Sequence, residues 1–147
     1  MDNPLTVWYC DVCGKPIRDQ KDGYVVWQSA GDTGSPSFKI IHQTGCDHGD
    51  TNSSAALGDF LGVDGLNHLL SFLSTNPVTT ATDRTLHTNI RNFGLFVDFF
   101  RRVQLPYYEE ARLAFEHPDY LEQAKEQGET FTQQHLTAVI RQFGRST

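Results

Sequence analysis

The chain has 147 residues, 38% of them hydrophobic, with ten Phe, five Tyr and two Trp. That suffices for one ordinary domain or two small ones, with a core built largely on rings. The formal net charge is −6, about −5 of it before residue 83, which excludes whole-protein electrostatic attraction to nucleic acid or an anionic membrane. No run approaches the ~20 apolar residues a membrane helix needs. Met1-Asp2-Asn3-Pro4 lacks the basic and apolar regions of a secretion signal, and three Cys, an odd number, fit a closed disulfide framework poorly. A reduced cytoplasmic setting is expected, where clustered cysteines serve metal or redox chemistry.

In chain order, Thr6-Val7-Trp8-Tyr9 reads as a strand leading into Cys10-Asp11-Val12-Cys13-Gly14. Asp22-Gly23 is a turn signal, and Tyr24-Val25-Val26-Trp27-Gln28 follows as a strand. Residues 31–36 form a loop. Phe38-Lys39-Ile40-Ile41-His42 is a further strand whose alternation puts Phe38, Ile40 and His42 on one face. Two short helices are expected next. Ser53 or Ser54 caps the first, with Leu57, Phe60 and Leu61 on one side and Gly62 ending it. Asp64 caps the second, with Leu66, Leu69, Leu70 and Leu73 inward.

Residues 74–82, polar, β-branched and containing Pro77, read as a seam between a finger-like region (1–75) and a helical region (83–147), the two possibly forming one integrated domain. A helix over 89–104 is predicted with Phe93, Phe96, Val97, Phe100 and Val103 as its stripe. Leu95 and Phe99 lie off that stripe, so the helix is apolar almost all round, which suggests a central place or cover by another subunit. Pro106 suits the first turn of the next helix, through Tyr107, Tyr108, Ala111, Ala114 and Phe115. A short segment over 119–127 ends at Gly128. Thr132 caps a last helix carrying Leu136, Val139, Ile140 and Phe143, closed by Gly144.

The chemistry lies in Cys10, Cys13, His42 and Cys46. A structural zinc takes four soft or neutralising donors in a tetrahedron. The two-residue gap lets one tight turn aim the sulfurs of Cys10 and Cys13 at a single point, and Gly14 permits the backbone angles of such a knuckle. His42 at a strand end and Cys46 beyond Gly45 complete a Cys3His site for one structural Zn2+. His48 competes with His42 as the nitrogen donor. Asp47 and Asp50 are nearby, but carboxylates are uncommon in closed sites. A redox Cys-x-x-Cys usually opens a helix, whereas Cys13-Gly14-Lys15-Pro16-Ile17 reads as knuckle then strand.

The knuckle Trp8–Ile17, the hairpin residues Gly23–Trp27 and the pair His42 and Cys46 together resemble a treble-clef or zinc-ribbon-type finger. The chain is also similar to a set of small uncharacterised bacterial proteins that carry such a finger ahead of a helical tail, here Phe99–Arg112. The resemblance implies metal and no activity.

The expected architecture is therefore α+β: a zinc-bound β-hairpin finger packed on a mainly helical C-terminal half. The expected function is a non-enzymatic interaction or regulatory module, with a protein partner or self-association and no small-molecule substrate. A nucleic-acid-binding regulator is the alternative, using Arg84, Arg91, Arg101, Arg102, Arg112, Arg141 and Arg145. A zinc hydrolase is the third reading. No nucleophile elbow or phosphate-binding loop is present.

Overall fold

The computed structural model describes residues 5–27, 38–46, 53–73 and 93–143. Strands β1 (Trp8–Tyr9) and β2 (Pro16–Ile17) form a small antiparallel ladder with Trp8 opposite Ile17. Strand β3 (Gly23–Trp27) is the centre of a second antiparallel sheet, flanked by β4 (Lys39–His42) and β5 (Ser53–Ala56). A 3-10 turn over Leu57–Phe60 leads to α1 (Gly62–Leu73). The later half holds α2 (Phe93–Gln104), α3 (Tyr108–Arg112), α4 (Pro118–Gln127) and α5 (Gln133–Phe143). The architecture is α+β, small antiparallel sheets followed by a mainly helical half. The seam at 74–82 lies outside the described residues.

The central strand explains one departure from the expected elements. Ser53–Ala56, read above as a helix start, is a strand, with Tyr24 opposite Ala56 and Trp27 opposite Ser53. Ser and Ala carry weak strand preference, but the free edge of β3 offers four residues a ladder, and such tertiary pairing overrides propensity. Gly62 consequently opens a helix rather than closing one. Its φ of 69° turns the chain out of the 3-10 turn, a conformation glycine adopts without a side-chain penalty.

The inward faces of α1 and α2 also differ from the simple periodic reading. In α1 the buried residues are Gly65 and Leu69, whereas Leu66 and Leu70 are exposed. Gly65 lies so close to the Phe60 backbone that a Cβ would sit 2.0 Å from its carbonyl carbon, and this contact sets the rotation of the helix. In α2, Phe96, Phe99, Arg102 and Val103 are buried, while Phe93 and Val97 of the expected stripe are exposed. Pro106 precedes α3 rather than joining its first turn, because Tyr107 adopts a left-handed φ of 68° and the helix begins at Tyr108.

Two cores result. The first joins Trp8, Cys10, Ile17, Val25, Ile40, Leu57, Phe60 and Leu69 to Phe96, Phe99 and Val103 of α2. Phe38 is its hub, stacked on Phe99 at 4.5 Å between ring centroids and on Trp27 at 5.5 Å. Such ring pairs contribute about 0.5–1.5 kcal/mol each beyond area burial. The second core gathers Tyr108, Ala111, Ala114, Tyr120, Leu136 and Val139 from α3, the turn that follows it, α4 and α5. Thr132 caps α5 as expected, its hydroxyl accepting from the His135 amide at 3.1 Å.

Candidate metal centre

The turn between β1 and β2 is a knuckle closed by its own backbone. Cys10 N–H donates to the Lys15 carbonyl at 3.0 Å, and Gly14 N–H to the Cys10 carbonyl at 2.9 Å. Gly14 has a φ of 75°, the angle that lets the chain reverse directly after Cys13. The same turn aims the amides of Val12 and Cys13 at Cys10 Sγ, at 3.4 and 3.5 Å.

Strand β4 carries His42 to the knuckle from the other side, and the Gly45 turn (φ 85°) brings Cys46 back toward it. Cys13 Sγ lies 3.4 Å from His42 Nδ1, and Cys46 Sγ lies 3.6 Å from the same nitrogen. The donor atoms of Cys10, Cys13, His42 and Cys46 all lie within 4.8 Å of one another. A tetrahedral zinc with ordinary bond lengths would separate sulfur from nitrogen by about 3.5 Å and sulfur from sulfur by about 3.8 Å. The cluster therefore has the size and donor chemistry to hold an ion such as zinc. His48, Asp47 and Asp50 lie outside the described residues.

The imidazole is oriented for this role. His42 Nε2 sits 3.2 Å from the Pro16 carbonyl oxygen. A carbonyl only accepts, so Nε2 carries the proton and Nδ1 turns its lone pair toward the sulfurs. A hydrogen bond from the distal ring nitrogen is the usual support of a metal-bound histidine.

Without an ion the thiols of Cys10 and Cys46 are electrostatically unlike. Burial opposes ionisation of Cys10, but the amides of Cys13 and Val12 together with His42 outweigh it and bring the thiol down to about 6. Burial and the neighbouring sulfurs of Cys10 and Cys13 push Cys46 up to about 11. Crowded sulfurs that resist becoming anions together are what a dication relieves.

Behind the knuckle lies a charged arrangement that sequence reasoning missed. Arg102, counted above among the arginines of the nucleic-acid alternative, is 2% exposed. Its Nε and Nη2 donate to Glu109 at 2.7 and 2.8 Å, its Nη1 to Asp11 Oδ2 at 2.8 Å, and its Nη2 to the Tyr9 carbonyl at 3.1 Å. Burial opposes the charge, but Glu109 and Asp11 outweigh it and hold the guanidinium protonated beyond its already high range. Glu109 also accepts from Tyr9 N–H at 2.9 Å, and Asp11 accepts from Ile40 N–H at 2.7 Å. Trp8 Nε1 donates to the Arg102 carbonyl at 3.1 Å. Arg102 stands three residues after Phe99, on the face that the fold turns inward and that the predicted stripe did not include.

Of the other arginines, Arg112 touches this network, its Nε 3.9 Å from Glu109 Oε2. Arg101 lies over the Phe131 ring at 4.6 Å, and Arg112 pairs with Asp98 at 3.3 Å. Arg84, Arg91 and Arg145 lie outside the described residues. A groove of about 530 Å³ runs between Leu73, Phe93, Phe96, Val97 and Phe100, and shares no residue with the cysteine–histidine cluster. No helix among the described residues is long and apolar enough to cross a membrane. Compared with protein-family models, curated proteins and solved structures, the chain matches none.

Proposed function

We propose that the protein is a zinc-binding interaction or regulatory module, non-enzymatic, in which Cys10, Cys13, His42 and Cys46 hold one structural zinc in a treble-clef-like finger. The observation that carries this reading is the convergence of four donor atoms within 4.8 Å, at sulfur–nitrogen separations a tetrahedral zinc requires. Four protein donors leave no open position for a water, which favours a structural over a hydrolytic ion. Exposed Phe93, Leu95 and Val97 on α2 support a protein partner or self-association as the business of the helical half. Burial of Arg102 takes one cation away from the nucleic-acid alternative.

Metal analysis of protein purified without added metal tests the reading. One zinc per chain is expected. Cobalt exchanged into the site should give the intense thiolate-to-metal absorption of a tetrahedral, sulfur-rich centre. Absence of stoichiometric metal, together with a melting curve indifferent to chelator, overturns it.

A further inference from the structure

The three cysteines of the cluster differ in what surrounds them. Cys10 is 3% exposed, and two backbone amides donate to its sulfur. Such donors draw electron density from a thiolate and blunt its attack. Cys46 is half-buried and packs against the first core. Cys13 is exposed, and its sulfur meets the imidazole of His42 at the outer side of the knuckle. An oxidant arriving from solvent therefore meets one sulfur of the three first. The sulfur of Cys46 starts within 4.8 Å of it, and both residues stand next to glycines with positive φ, Gly14 and Gly45, where the backbone can shift without a side-chain clash.

We propose that Cys13 is an oxidative modification site through which hydrogen peroxide unloads the metal, with Cys46 as the resolving cysteine. This rests on the metal-site reading above. In the first step the Cys13 sulfur attacks a peroxide oxygen. An S–O bond forms, the O–O bond breaks, and hydroxide departs, leaving a sulfenic acid. In the second step the Cys46 thiolate attacks that sulfur. An S–S bond forms, the S–O bond breaks, and a second hydroxide departs. Two electrons pass from the two thiolates to peroxide, which is reduced to two hydroxides. Cys10 and His42 remain as two donors of the original four, too few to hold the dication against a competing chelator.

The test uses the full zinc-loaded chain. Zinc content is measured first; a chain without zinc overturns the metal-site reading itself. Peroxide is then added with a chromogenic chelator, and the products are digested with trypsin without reduction. Cys10 and Cys13 share the tryptic peptide 1–18, because Lys15 precedes Pro16, while Cys46 lies in 40–84. Release of one zinc with a covalent link between these two peptides is expected, as is alkylation of Cys13 at least about tenfold faster than of Cys10 or Cys46 in the loaded protein. A link within 1–18, or first labelling at Cys46, overturns the proposal while leaving the metal site standing. C13H, which restores a nitrogen donor, should keep zinc and release it to peroxide at least about tenfold more slowly; release at an unchanged rate overturns the proposal. Should that variant fail to fold, the labelling order in the unmodified chain still decides.

Discussion

Asp11 and Arg102, 91 residues apart, meet at 2.8 Å, so the residue inside the Cys-x-x-Cys turn is gripped by the far helical half. The guanidinium also holds Glu109 in a two-point bond and the Tyr9 carbonyl. Its own carbonyl accepts from the Trp8 indole. Strand β1, the knuckle and α2 are thereby locked at one buried point. A charge pair at this depth is a poor source of net stability, since desolvation cancels much of its attraction, but breaking it from one side is costly.

That asymmetry gives the first prediction. R102M strips Glu109, 1% exposed, of its two-point partner, leaving the Tyr9 amide at 2.9 Å and the more distant Arg112 Nε at 3.9 Å, and should destabilise the fold by about 3–5 kcal/mol. E109Q added to R102M removes the carboxylate charge and should recover part of the loss. Chemical denaturation of the two single variants and the double variant measures the coupling. Simple additivity of the two substitutions would show that the pair does not act as a unit.

The metal residues and the network behind them were not equally legible in the sequence, for a physical reason. Cys10 and Cys13 declare their chemistry by residue type and by a spacing only two residues long. His42 and Cys46 need one further step, a strand and a glycine turn. The Arg102 network has no such local signature, because its partners come from residues 9–11 and 109. An arginine near the end of a helix satisfies the helix dipole equally well in solvent. Apolar periodicity places the helical half well but leaves each helix free to rotate. The rotation of α1 follows from Gly65 against the Phe60 backbone, a close approach that depends on the turn between them, and that of α2 from Phe99 against Phe38, a contact between segments far apart in sequence.

Gly65 supplies a second prediction. In an unconstrained helix, Gly to Ala stabilises by up to about 1 kcal/mol. Here the new Cβ would stand 2.0 Å from the Phe60 carbonyl carbon and 2.3 Å from its oxygen, both backbone atoms that cannot rotate away. G65A should therefore lose about 3 kcal/mol as α1 is forced off the 3-10 turn. Gly58, whose Cβ would meet the Gln20 side chain at an ordinary 3.6 Å, is the control, and G58A should be tolerated. Thermal melts of the two variants side by side decide the matter.

Glu110 gives a prediction in pH. Burial, and then the neighbouring Glu109 charge, raise its carboxyl above the usual 4.5, against the opposing pull of its own backbone amide. The folded chain thus binds this proton more tightly than the unfolded chain does. The resulting penalty is fully present above the folded value, shrinks as pH falls through it, and is gone below the unfolded value. E110Q should therefore be more stable than the unmodified chain at about pH 8, with the gap closing toward about pH 5. Melting temperatures of both proteins across that range test the sign; a gap that widens on acidification would contradict it.

Removing the metal should act unevenly across the fold, because the two cores are built from different elements. An ion held by the four donors would tie the knuckle to β4 through His42, and the same junction is closed by Asp11 N–H to the Ile40 carbonyl at 2.8 Å and by Ile40 N–H to the Asp11 carboxylate. Two-residue strands such as β1 and β2 bury too little by themselves to persist. The second core, formed by α3, the turn that follows it, α4 and α5, contains none of the four donors. Chelation should therefore collapse hydrogen-exchange protection at Cys10, Asp11, Gly14 and Ile40 by at least about tenfold, while amides of α5 such as Leu136 and Ile140 keep most of theirs. Trp8, donating to Arg102 from two residues ahead of Cys10, reports the same event through its emission. Its indole should move toward solvent and shift to the red, and W8F should abolish that part of the signal. Equal loss of protection in both cores would mean that the metal site and the helical half unfold as one cooperative unit.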